Sequence, residues 1–285
     1  MRFPARRRTR RALAAAAVLA WAPGAALAGP AELYYERSLM VAADARCDLF
    51  EARVAAALEA SAWQARGAAL RSGADEAALR LVRARAENKA RGAACGSADL
   101  TTAAARVKDA FQGWAKTSRM TFPGQAAPWV ADRTAYRSAR WKLSQNARFG
   151  FDAVTFGYAG RGEAAALVAV AEFKDGARPY AARLVMRDPA RAPKPWLVKT
   201  GGVPRSALRT VMAQAAAAAE ATLAPGDGTA LAFRFPPRAA DQISALDPRE
   251  RFEIEFLFPD DTVRTARLEV GDFAAGRAFL AMGAL

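Results

Sequence analysis

Glu253 and Glu255 sit two positions apart in a run where Phe252, Ile254, Phe256 and Phe258 occupy the alternate places. On a strand that spacing puts both carboxylates on one side. Paired carboxylates serve glycoside hydrolysis, one acid protonating the leaving oxygen while the other assists the attack. The same pattern describes the solvent face of an amphipathic hairpin, with Arg264 or Arg267 across from the acids. Trp129, Trp141 and Trp196 fall near element boundaries and are the candidate ligand-binding residues. Aromatic faces there either stack on sugar rings or lid a core, and neighbouring arginines can hold anionic groups. Lys199-Thr200-Gly201 matches a short motif of penicillin-recognising serine enzymes. No serine has the lysine three positions later that the nucleophile of that family requires. Asp260 and Asp261 offer oxygen ligands for calcium, or simply the polar residues of a turn. Asp44 and Asp48 flank Cys47 and read as caps for the following helix.

The chain contains no histidine. That removes Ser-His-Asp and Cys-His catalysis, histidine-bearing zinc sites and a histidine general base from what its own residues can do. No serine lies in G-x-S-x-G, and there is neither a P-loop nor a dinucleotide fingerprint. With no complete nucleophile or metal constellation, no catalytic residue, cofactor or metal site is expected. The reading is a non-enzymatic cell-envelope or ligand-binding protein. The alternative is a carboxylate-dependent hydrolase of an envelope glycan, and an assembly or chaperone role through the helices is a third possibility.

The expectation of an envelope rests on the first 28 residues. Arg2, Arg6, Arg7, Arg8, Arg10 and Arg11 precede an apolar stretch from Ala12 to Ala22, and Pro23-Gly24 breaks it. Ala26-Leu27-Ala28 supplies the small residues that a signal peptidase reads, so Ala26 and Ala28 mark the expected cleavage site. The mature chain would begin at Gly29-Pro30 in the periplasm or outside the cell. Thr9-Arg10-Arg11-Ala12-Leu13 resembles a twin-arginine export motif, and both export routes stay open. No other apolar run is long enough to cross a bilayer, so no membrane span is expected after processing. The 285 residues carry a formal charge of +14, and removing the six leader arginines leaves 36 basic against 28 acidic residues, or +8. That charge is scattered rather than striped, which argues against nucleic acid and leaves an anionic envelope polymer or another envelope protein as partners.

Cys47 and Cys95 are the two cysteines, and an oxidising compartment favours their pairing. Apolar periodicity predicts helices over Ala31–Ala45, Leu49–Arg71, Ala74–Arg91 and Asp99–Arg119. Cys47 then lies at the first junction and Cys95 at the third, which share one end of an up-down-up-down bundle. Residues 29–119 form the expected disulfide-pinned helical domain. Residues 120–133 read as a linker, because Phe122-Pro123-Gly124 and Pro128-Trp129 oppose both helix and strand.

Residues 134–285 change periodicity. Strand character is predicted over Phe149–Tyr158, Ala164–Phe173, Pro179–Arg187, Trp196–Lys199, Thr229–Phe235, Arg251–Phe258 and Thr262–Val270. Helices are predicted over Ser206–Leu223 and Ala239–Leu246, with a last one capped by Asp272. The expected class is α+β: an N-terminal helical bundle, then an antiparallel sheet with helices on one face.

Three segments add to this. Gln64-Ala65-Arg66-Gly67-Ala68-Ala69-Leu70-Arg71, Met120-Thr121-Phe122-Pro123-Gly124 and Val270-Gly271-Asp272-Phe273-Ala274-Ala275, with the two spaced cysteines, together resemble a group of exported bacterial proteins of this layout. The resemblance covers most of the mature chain and implies export and the two-part architecture. The group has no assigned activity, so it implies no site residues.

Overall fold

A computed structural model describes residues 29–285, apart from 163, 198–203, 215, 227 and 228. The predicted leader and Lys199-Thr200-Gly201 therefore lie outside the described residues. Four helices come first: α1 (Pro30–Cys47), α2 (Ala52–Arg71), α3 (Glu76–Gly92) and α4 (Ala98–Ala115). Their ends follow local chemistry. Asp48 takes a left-handed conformation that closes α1, while the Asp44 carboxylate accepts from the Leu49 and Phe50 amides at 2.8 and 2.9 Å. Asp48 thus ends the first helix rather than capping the second. Asp75 and Ser97 accept amide hydrogens at the starts of α3 and α4. Cys47 and Cys95 are joined, with their Cα atoms 5.5 Å apart. The helices do not alternate as a four-membered bundle. α1 packs on both α2 and α3, whereas α4 packs on α2.

The class is α+β, and the sheet part divides in two. Strands β1 (Arg119–Phe122), β2 (Trp129–Asp132), β3 (Arg140–Phe149), β4 (Asp152–Gly160), β5 (Ala166–Glu172), β6 (Ala181–Arg187), β7 (Leu208–Met212), β8 (Ala217–Ala218) and β9 (Ala230–Arg234) precede helix α5 (Arg238–Ser244). Strands β10 (Arg251–Leu257) and β11 (Val263–Glu269) and helix α6 (Phe273–Leu280) follow it. One antiparallel sheet has the order β1-β2-β3-β4-β5-β9-β8, the other β11-β10-β6-β7. They face each other across phenylalanines. Phe156 meets Phe252 at 5.3 Å, and Phe256 meets Phe149 and Phe233 at 5.4 Å each. The alternation of β10 supplies this layer. α6 covers the part of the first sheet that the second leaves open, setting Phe273 against Trp129 at 4.8 Å and Phe279 against Phe122 at 5.7 Å.

Several expectations are corrected. The stretch read as a linker forms β1 and β2, and it buries Phe122 and Trp129 completely. Its prolines occupy the turn between two short strands rather than the strands themselves. The helix predicted over Ser206–Leu223 is instead the edge strand β7, the two-residue strand β8 and short 3-10 turns. Alanine favours helix only weakly, and the β6 edge offers Val211 a buried place in a ladder. The same alanines let Ala219, Leu223 and Ala224 lie flat on the outer face of the first sheet, over Val168 and Val170. Strand β3 was hidden because Lys142, Gln145 and Arg148 interrupt its alternation and a bulge falls between Trp141 and Leu143. Trp196 and Leu197 have no regular structure.

The helical and sheet parts meet where α2 packs on α6. Arg71 donates to both oxygens of Asp272, at 2.7 and 2.9 Å. Asp272 stands at the start of α6, yet its carboxylate serves Arg71 rather than capping that helix. Gly67 allows the approach, since a Cβ there would collide with the same carboxylate. Arg249 reaches the Leu70 carbonyl at 3.0 Å. The space left in the seam is about 10 Å³, less than one water needs. Arg133 makes a second tie. It is fully buried and donates to carbonyls of Thr117, Met282 and Gly283, so the end of α4 is fastened to β2 and the C-terminal residues.

Two outcomes follow. Replacing both cysteines by alanine opens the covalent loop and lowers unfolding stability by roughly 3–4 kcal/mol, read from the urea midpoint. Arg71→Ala leaves the Asp272 carboxylate buried without its cation and costs about 3–5 kcal/mol near neutral pH. Burial holds the Asp272 carboxyl above the usual range, with Arg71 opposing it. A carboxyl raised in the folded state stabilises as it takes its proton. The Arg71→Ala loss therefore shrinks as pH falls from 7 toward 5; a loss equal at both pH values would sink this account of the seam.

Candidate ligand-binding site

At one end of the sandwich the β3–β4 turn, the start of the β5–β6 loop and the first residues of β11 enclose an open cleft of about 890 Å³. Gly150 makes the β3–β4 turn tight, with φ at +61°. Phe151 follows it and is 88% exposed, whereas its neighbour Phe149 is half-buried and stacks on Phe256. Phe149 and the exposed ring of Phe151 are thus the two aromatics that line the cleft.

Arg264 organises the charges. It donates to Asp152 at 3.0 Å and grips Asp175 through two nitrogens at 3.1 and 2.5 Å. Its guanidinium lies 4.7 Å from the centre of the Phe258 ring. Asp152 also accepts the Lys174 amide at 3.0 Å, so Arg264 joins three segments. The grip of Arg264 on Asp175 lowers that carboxyl to about 2. Arg148, Lys174 and Arg267 complete the cationic lining. Lys174 pairs outward with Glu172, and Arg267 pairs with Glu253 at 2.9 Å. Among the described residues Arg148 has no carboxylate partner.

The residues singled out in the sequence are not brought together. Glu253 and Glu255 share the outer face of β10, as their spacing requires, but each is held by an arginine: Glu253 by Arg267, Glu255 by Arg183 at 2.5 Å. Arg264 points to the other side of the sheet. Trp129 is fully buried, and its indole donates to the Val270 carbonyl at 2.9 Å, so it presents no face to a ligand. Trp141 lies half-buried on the outer face of the first sheet and donates to the Leu223 carbonyl at 3.1 Å. Trp196 sits beside the buried Arg187–Glu250 pair, its amide 3.3 Å from Glu250. Asp260 is occupied within its turn by the Thr262 amide and hydroxyl, which lower its carboxyl below the usual range.

Phe151 and Arg148 were not foreseen, because the run from Phe149 to Tyr158 reads as one strand. The signal was present as Gly150 between two phenylalanines, which marks a turn and leaves the second ring outside.

No protein-family model, curated protein or solved structure matches the chain. Function therefore rests on the chemistry of the surface.

That chemistry yields a direct test. Carboxyl titration followed by NMR places Asp175 near 2, and Arg264→Gln returns it toward the ordinary aspartate value near 4. A midpoint unmoved by the substitution would remove Arg264 as the organiser of the cleft.

Proposed function

We propose that the chain is exported, loses its leader after Ala28 and works as a non-enzymatic binding protein of the cell envelope, holding an anionic polymer in the sandwich-end cleft. The observation that carries this is the lining: four cations against two carboxylates, both of the latter already engaged by Arg264. A polymer bearing carboxylate or phosphate groups would meet Arg148, Lys174 and Arg267, with Phe151 free to lie against a sugar ring. The disulfide and the absence, among the described residues, of a helix long and apolar enough to cross a membrane accord with that setting.

A glycan hydrolase needs an acid kept protonated near neutral pH within reach of substrate. Asp175 is held well below that range. The carboxyl held above the usual range, Asp272, lies in a seam too tight for a sugar. These facts favour binding over hydrolysis.

Co-sedimentation with insoluble anionic cell-wall polymer tests the reading. Exposed charge pairs contribute up to about 1 kcal/mol each. Arg148→Glu with Arg267→Glu should therefore weaken binding by about tenfold or more, and added salt should weaken the wild type. Equal binding by both proteins, or none by either, would end the proposal.

A further inference from the structure

The four helices leave one place in the bundle empty. α1 lies between α2 and α3, and α4 packs away on α2, so a groove of about 510 Å³ runs over α1 between its two neighbours. It follows α1 from Tyr34 to Arg46, a rise of about 18 Å at 1.5 Å per residue. That length matches a helix of about three turns. The floor is Ser38, Val41, Ala42 and Ala45, and Trp63 of α2 forms an apolar wall. Small side chains let another helix come close, but the charges decide what kind of helix.

Three groups along the groove are left without counterparts. Near the disulfide, Arg46 donates to the carbonyls of Arg91 and Ala93, and Arg91 to Asn88. Among the described residues neither guanidinium meets a carboxylate. In the middle, Glu59 projects from α2 and meets no cation among the described residues. Beside it Ser38 is only 8% exposed. Arg83 at the far end is already satisfied by Glu87 at 2.8 Å. The pattern is therefore two free cations at one end, one free anion at the centre, and a neutralised far end.

We propose that this groove receives an amphipathic helix from a second protein, with acids at the end lying by Arg46 and Arg91, a base opposite Glu59 and an apolar face over Ala42 and Ala45. This is helix-in-groove recognition, in which buried apolar anchors supply affinity and rim charges fix direction. A second copy of the chain fits less well, because the helix bordering the groove, α3, carries Arg80, Arg83, Arg85, Lys89 and Arg91 and would bring like charge to Arg46 and Arg91. The groove is built on different elements from the polymer cleft, so either site stands if the other fails.

The test uses the purified chain and a displayed library of random peptides about four helical turns long. The enriched peptides should be amphipathic helices with acids toward one end. Ala45→Trp, at an exposed position, fills the groove without touching the core, and it should reduce their affinity by at least about tenfold. Arg46→Glu with Arg91→Glu should do the same, and exchanging the peptide's acids for lysines should restore binding to that variant. Circular dichroism checks that each variant keeps the wild-type fold. The proposal is overturned if no peptide is enriched, if the enriched peptides bind the Ala45→Trp variant unchanged, or if reversing the charges has no effect. It is equally overturned if sedimentation shows a dimer of the chain that Ala45→Trp dissolves, since the occupant is then a second copy.

Discussion

A carboxylate removed from water is unfavourable unless it is paired or hydrogen-bonded, and Asp272, which makes no capping bond at the start of α6, is in that position. Arg71 brings the cation from α2, and the rest of the architecture is arranged so that it can. Gly67, one turn earlier on the same helix, keeps clear of the carboxylate. The Asp272 amide donates to the Pro123 carbonyl at 2.9 Å, which fixes the β1–β2 turn against the start of α6. Glu269 extends the arrangement by accepting the Ala126 amide at 2.8 Å, while Gln145 of β3 accepts the Glu269 amide at 2.8 Å. The three stretches 64–71, 120–124 and 270–275 therefore meet at one junction. Far apart in the chain, they are one structural unit, and its work is to hold the helices on the sheets.

That junction explains where the sequence could be read and where it could not. The alternation in β10 was legible because a half-buried strand imposes a period of two on its own residues. The cysteine pairing was legible because the helix count put both residues at one end. The region around Phe122 and Trp129 was not, because its prolines are local signals of irregularity whereas its structure comes from long-range contacts with Phe279 and Phe273. The alanine-rich stretch after Ser206 misled for a related reason. Its helical preference is worth tenths of a kcal/mol per residue, and a free strand edge outweighs it. Of the candidate site, the acids and tryptophans could be named but not placed. Whether a carboxylate is free or gripped depends on an arginine tens of residues away.

Arginine is the common instrument of this fold. Among the described residues every ion pair except Lys174–Glu172 uses one. Arg187 and Glu250 are buried together, and Arg133 is buried on carbonyls, the Met282 sulfur and the Phe279 ring. A planar group with five donors can satisfy such places, where a lysine ammonium would leave acceptors unmet. Among the described residues only Arg133, Lys142 and Arg187 are buried cations, so most of the positive charge lies at the surface, part of it paired with carboxylates.

What matters for binding is where charges without a carboxylate partner gather beside apolar surface. Arg148 beside an exposed Phe151, and Arg46 with Arg91 at the end of an apolar groove, are such places. Both sit on frames that are fixed independently of any ligand. Arg264 ties the loops of the cleft, and the disulfide ties the α1–α2 and α3–α4 junctions beside the groove. Rigid frames with uncompensated charge bind without paying to order their own loops. In the cleft Arg264 holds both carboxylates, Asp152 and Asp175, while among the described residues the exposed Arg148 has no carboxylate partner.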